Sequence, residues 1–205
     1  FLYRLTERKG LFGLLQTSLT HFSRDRRLQL LLVAFCFGAF LEGAAGFGTP
    51  VAVAASMLIG LGFPPLSASV LALIANTAPV PFAGLGTPVL ALQSVTGLVL
   101  MALTREIALQ LSLFDVLIPF LLVAVLCGWR TTLEIWPALL VTGSSYAAAQ
   151  LAVGALHGPW LVNISAALVS MGALALLLRF WQPKKVWRFP GEAVETETPQ
   201  AGGGR

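Results

Sequence analysis

Glu42 is the residue whose chemistry most needs explaining. It is the only charged side chain between Leu28 and Thr104, and ionisable groups in such stretches mark ion and proton paths. A glutamate there can take up a proton beside a bound anion. A permanently ionised one would repel a carboxylate substrate, so protonation before substrate entry would couple the two flows. The alternative is a structural glutamate hydrogen-bonded to loop amides or to an arginine elsewhere. Glu42 opens the run Glu42-Gly43-Ala44-Ala45-Gly46-Phe47-Gly48-Thr49-Pro50. A second such run is Asn76-Thr77-Ala78-Pro79-Val80-Pro81-Phe82-Ala83-Gly84-Leu85-Gly86-Thr87-Pro88. Proline removes a backbone donor and glycine tolerates unwound dihedrals, so both runs break helices. Broken backbone at membrane depth exposes N–H and C=O groups that protein or a polar cavity must satisfy.

The two runs are related. Ala45-Gly46-Phe47-Gly48-Thr49-Pro50-Val51 recurs as Ala83-Gly84-Leu85-Gly86-Thr87-Pro88-Val89, 38 residues on, with six of seven positions identical and Ser56 and Ser94 in register. Interrupted hydrophobic segments in corresponding positions point to a transporter's binding site. Gly43, Gly46, Gly48, Gly84 and Gly86 can present backbone N–H groups, and helices starting at Pro50 and Pro88 aim their positive ends at the breaks. For any one glycine, helix packing is an equal explanation; the two clusters together favour a site. Asn76 offers amide donor and carbonyl acceptor to a hydroxyl and a carboxylate. Thr77, Thr49 and Thr87 add hydroxyls, although for Thr49 and Thr87, each just before a proline, helix capping is the favoured reading, and for Asn76 it is an even alternative. The expected substrate-binding set is Gly46, Gly48, Thr49, Asn76, Thr77, Gly84, Gly86 and Thr87, with Glu42 coupling protons. No catalytic residue, metal ligand set or organic cofactor is indicated.

The elements that position these groups are transmembrane. Hydrophobic residues make up 57% of the chain and charged ones 11%, with a mean hydropathy of +0.83; soluble domains carry about 25% charge. Basic residues flank the apolar stretches, so the pI near 9.6 reflects topology, and nucleic acid is not an expected partner. Residues 115–129, 135–155 and 160–178 each suit one crossing. Residues 28–62 and 66–103 do not: as straight helices they would run over ~50 Å, beyond the ~30 Å hydrocarbon core. The expected fold is an all-α polytopic bundle with two interrupted or re-entrant segments and three plain spans.

Charge sets the orientation. Residues 4–27 hold six basic and two acidic side chains, and Arg179, Lys184, Lys185 and Arg188 precede any acid after the last span. Both flanks are therefore expected in the cytoplasm of a cell whose inner membrane the chain crosses an even number of times. The preferred assignment makes 28–62 a re-entrant hairpin and 66–103 a broken span; the reverse has the same parity. It places 105–113 and 157–159 outside and 130–134 inside. Residues 1–27 and 180–205 read as polar connectors around a transmembrane region over 28–179. Arg130 and Glu134, four apart, suggest a topogenic or salt-bridging pair. Trp129, Trp136, Trp160 and Trp181 suit interface anchoring. Cys36 and Cys127 behave as small hydrophobes.

The run Ala34-Phe35-Cys36-Phe37-Gly38-Ala39-Phe40-Leu41-Glu42-Gly43-Ala44-Ala45-Gly46-Phe47-Gly48 resembles the bacterial lactate permease family. So do Gly60-Leu61-Gly62-Phe63, Ile74-Ala75-Asn76-Thr77-Ala78-Pro79-Val80, Gly128-Trp129-Arg130 with Glu134, Trp136 and Pro137, and Arg179-Phe180-Trp181-Gln182-Pro183. Pro81, Ala83 and Thr87 depart from the family's usual residues at the second break. The resemblance implies a proton-coupled carrier of lactate or glycolate, of which this chain, lacking an initial Met, is an internal fragment. Its partners would be the small carboxylate, protons, the lipid bilayer and the remainder of the same permease chain. A contrasting reading is a membrane subunit of a respiratory or proton-translocating complex with Glu42 as relay; uptake of labelled lactate separates the two.

Overall fold

A computed structural model describes residues 25–46, 48–183 and 185–189. The expectations for residues 1–24 and for the polar tail after Gly191 lie outside the described residues. Helix α1 (Arg26–Ala45) is 20 residues long. Its middle, Leu31–Phe37, is wound as a π-helix, a form that tends to occur at functional positions. After the first break come α2 (Thr49–Gly60) and, beyond a turn, α3 (Pro65–Ala75). Both start with a proline in the first turn, where the missing N–H has no intrahelical partner to lose. The second break carries the short turn Val80–Phe82 and leads into α4 (Ala83–Thr96), whose first residues are not helical. The arms on either side of it meet at 68°. Then follow α5 (Leu100–Cys127), α6 (Trp136–Leu156) and α7 (Val162–Phe180).

Four of these stretches are long and apolar enough to cross a bilayer, or five if α3 and α4 form one bent span. Leu109, Leu113, Leu117, Leu121 and Val125 form an exposed apolar stripe along α5 at four-residue spacing, a face that water would not tolerate at this size. α1 lies inside the bundle and is far more buried than α5, α6 or α7. The protein is a multi-pass helical membrane protein with both long apolar segments interrupted.

The direction of each helix follows from its contacts. Arg26 Nη1 donates to the Leu61 carbonyl at 2.5 Å, so the segment over 28–62 returns to the end where it started. It is a hairpin, in line with the preferred assignment. Its first arm, though, is long enough to cross unaided, rather than a half-helix. Arg27 is fully buried at that end. It is paired with Asp25 at 2.7 Å and Glu134 at 3.2 Å, and it donates to the carbonyls of Thr131 and Lys185. Trp187 N–H donates to Asp25, and Phe189 packs edge-on against Phe63. Residues 185–189 therefore fold back onto the hairpin mouth. At the opposite end, Gly158 lies against Met101 and Trp160.

Two topological details are corrected. Residues 105–113, expected outside between two spans, are helical, because α5 is continuous for 28 residues. At 1.5 Å per residue that is ~42 Å, so Arg105 and Glu106 ride on the part extending beyond a ~30 Å core. Arg130 does not pair with Glu134, which binds Arg27. The reason is local: Trp129–Thr132 is a single turn followed by the 3-10 turn Leu133–Ile135, so the four-residue register of an α-helix is lost.

Candidate functional site at the crossing of two broken helices

The two breaks touch. Gly46 ends α1 with φ 63° and ψ −175°, a combination open essentially to glycine alone. A methyl group there would lie 2.8 Å from the Gly84 amide nitrogen and 3.0 Å from its Cα. Gly86 makes the corresponding approach to the far loop: a methyl group would meet Pro159 Cβ at 2.6 Å and its carbonyl oxygen at 2.8 Å. The sequence repeat is matched in the backbone at one position. Gly48 (φ 83°, ψ −13°) and Gly86 (φ 79°, ψ 19°) are both left-handed, each immediately before a Thr-Pro that starts regular helix. Gly46 and Gly84 differ, since Gly84 begins a left-handed run with Leu85 and Gly86.

Glu42 is buried and stands four residues before Gly46, on the same face of the last turn of α1. Asn76 is half-buried and caps the C-terminal end of α3, with Thr77 exposed beside it. Thr49 and Thr87 are exposed, and neither caps a helix as expected. Thr49 is the first residue of α2, which has no side-chain cap. Thr87 Oγ1 donates back to the Gly84 carbonyl at 2.5 Å, bracing the left-handed run. Gly43 lies within helix rather than in the break. A methyl group on it would be 2.8 Å from Asn163 Cβ, so its role is close packing of α7 on α1.

Asn163 ties the two halves together, and sequence reasoning missed it. Its Nδ2 donates to the Pro79 carbonyl at 2.5 Å in the second break, while its Oδ1 accepts from the Tyr146 hydroxyl at 3.1 Å. Both side chains are buried. Asp115 on α5 and Gln150 on α6 form a second buried polar pair, again unpredicted. One signal was available: Thr142, Tyr146 and Gln150 recur every four residues, which places three polar groups on one face of an apolar helix.

The uncapped N-terminus of α2 opens beside the Gly46–Gly84 contact, so its free N–H groups and dipole can hold an anion there. Thr49, Thr77 and Thr87 are all open at the surface of the described chain. A cavity of about 360 Å³ lined by Leu133, Glu134, Trp136, Pro137, Trp181 and Lys185 lies at the Arg27 end, away from the breaks. It holds none of the candidate residues.

Comparison with known proteins gives this geometry a family. The chain is 49% identical over 192 residues to a protein named L-lactate permease from Bacillus subtilis (strain 168), covering 94% of the chain and 34% of that protein. It is 45% identical over 189 residues to the Escherichia coli (strain K12) L-lactate permease, with 92% and 34% covered. It is 49% identical over 184 residues to Glycolate permease GlcA of the same organism, with 90% and 33% covered. The chain thus spans about a third of the length of these relatives. No solved structure is significantly similar to it. The L-lactate permease family profile matches residues 1–202, and the chain belongs to that family.

Proposed function

We propose that the protein is a secondary active transporter of a small 2-hydroxy-carboxylate such as lactate or glycolate, working by proton symport. The observation that carries this reading is the contact of Gly46 with Gly84, one helical turn from the buried Glu42. Two breaks meet at one point, at the end of the bundle opposite Arg27. The names of the relatives supply the substrate class. The substrate carboxylate sits against the α2 N-terminus and the glycine backbone at Gly46, Gly48, Gly84 and Gly86. Asn76 and the hydroxyls of Thr49, Thr77 and Thr87 serve the substrate hydroxyl and the remaining carboxylate lone pairs. Protonated Glu42 admits the anion; ionised Glu42 repels it, and release of the proton drives release of the substrate. The membrane is the cell's inner membrane, with the Arg27 end cytoplasmic by the charge rule.

The test is uptake by the full-length protein in proteoliposomes. Glu42→Gln is expected to abolish accumulation driven by a proton gradient while preserving lactate–lactate exchange. Undiminished accumulation would contradict the role of Glu42. Absence of both accumulation and exchange by the unaltered protein with any 2-hydroxy acid would contradict the substrate class.

A further inference from the structure

Away from the crossing point, Asp115 and Gln150 face each other between α5 and α6. Both are fully buried. Gln150 Nε2 donates to Asp115 Oδ2 at 2.5 Å, while Asp115 Oδ1 and Gln150 Oε1 have no hydrogen-bond partner among the described residues. Two orphaned acceptors within one contacting pair are an unfavourable arrangement, because a buried oxygen without a donor loses its hydration uncompensated. The backbones crowd together beside them. A methyl group on Gly143 would lie 2.8 Å from Val116 Cα and 2.9 Å from the Asp115 carbonyl, so α6 presses directly on the turn that carries the acid.

One proton resolves both defects. On Oδ1 it turns an acceptor into a donor, and Gln150 Oε1 is the acceptor the pair still offers. With that proton the pair can close a ring of two hydrogen bonds, O–H to Oε1 beside the Nε2–H to Oδ2 bond already present, which would engage each polar atom of the pair. Among the described residues no cation is placed to do this instead. On α5 the nearest basic residue is Arg105, ten residues or ~15 Å away along the axis, with Glu106 beside it. α6 contributes Tyr146, a phenol, and ends at His157, seven residues beyond Gln150. α3 and α4 carry no ionisable side chain, and α7 has only Arg179 in its last turn. α1 brings Cys36 and Glu42, with Arg26 and Arg27 at its far end, and Arg130 lies beyond the C-terminal end of α5.

We infer that Asp115 and Gln150 form a second proton-binding site, separate from Glu42, in which Asp115 carries a proton as a carboxylic acid ringed with the Gln150 amide. Uptake is a plain protonation, carboxylate plus H⁺ giving the acid, with no other reactant. The site joins the second break through one line of buried side chains. Gln150 is one turn beyond Tyr146 on the same face of α6, Tyr146 donates to Asn163, and Asn163 donates to Pro79. The inference rests on the chain being a membrane-spanning bundle, not on the identity of the transported anion.

Infrared spectroscopy of the purified full-length protein in lipid at neutral pH tests it. The spectrum of the unaltered protein minus that of Asp115→Asn is expected to contain one protonated-carboxyl C=O band, moving to lower frequency in D₂O. The same band persists in Glu42→Gln, which separates this site from the transport reading. A difference showing carboxylate bands in place of the C=O band would overturn the inference, as would a band intensity that depends on Na⁺ against choline at constant ionic strength. Should Asp115→Asn not survive purification, Gln150→Leu tests the ring from its other member. The acid band then shifts as its amide contacts are lost, and an unmoved band overturns the ring.

Discussion

At the scale of single residues, three glycines separate conformational need from steric need. Gly46, Gly48 and Gly86 all have positive φ, so alanine costs about 1–2 kcal/mol of backbone strain at the left-handed Gly48 and Gly86 and about 1–3 kcal/mol at Gly46, whose ψ near 180° only glycine adopts readily. Space differs. Around Gly48 a methyl group meets nothing within 4 Å, whereas at Gly46 it strikes the Gly84 backbone and at Gly86 the Pro159 backbone. Overpacking against rigid neighbours adds roughly 1–3 kcal/mol. Thermal unfolding of the three alanine variants should therefore rank Gly48→Ala mildest. Uptake should survive in that variant and be lost in Gly46→Ala and Gly86→Ala. Equal losses at all three positions would mean that the close approaches do not matter. Leu85 holds φ 60° without glycine's freedom; such strain persists only where the surroundings over-determine it, here between two glycines that touch other segments.

At the scale of elements, Asn163 is the strut between α7, α6 and the second break. Asn163→Ala removes the donor to the Pro79 carbonyl and leaves the Tyr146 hydroxyl buried without its acceptor. Each orphaned group costs about 1–3 kcal/mol. The expected result is a clear fall in unfolding temperature together with a raised KM for uptake. Tyr146→Phe, which leaves the Asn163 bond to Pro79 in place, should do much less. An unchanged KM in Asn163→Ala would mean that the break does not depend on this strut. Why Asn163 escapes sequence reasoning while the breaks do not is a matter of range. Gly46, Gly48, Pro50, Gly84, Gly86 and Pro88 act on their own backbone, so their effect is local and readable from composition. Asn163 and Asp115 carry no local pattern, and the series Thr142, Tyr146, Gln150 marks a polar face without naming what it meets; their meaning comes from partners between 35 and 84 residues away. The same distinction explains why the sequence does not show 105–113 as part of a long helix. Arg105 and Glu106 suggest the end of a span, but a helix can carry charge past the hydrocarbon, and this one runs on through Pro119 to Cys127. The hairpin over 28–62 is legible only as one of two options, because charge parity counts crossings without locating them; the Arg26–Leu61 hydrogen bond shows that its two ends lie together.

At the scale of the whole molecule, the two ends of the bundle differ in kind. The Arg27 end is latched by a buried ion pair and by backbone carbonyls from two other segments. The end bearing the breaks is held by close glycine contacts and the Asn163 strut, with the threonines left exposed. In the carrier proposed here an opening would form on one side while the other stays shut. Central to the account is that both breaks line a single site, and substrate protection of cysteines measures this most directly. Thr49→Cys and Thr87→Cys, one from each break, would be alkylated in membranes containing the full-length protein, with and without lactate, alongside Ser94→Cys as an exposed position about two turns along α4. The account predicts that lactate slows alkylation at Thr49→Cys and Thr87→Cys over the same concentration range and leaves Ser94→Cys unaffected. Protection at only one break, or at neither, in protein that still takes up lactate would contradict it.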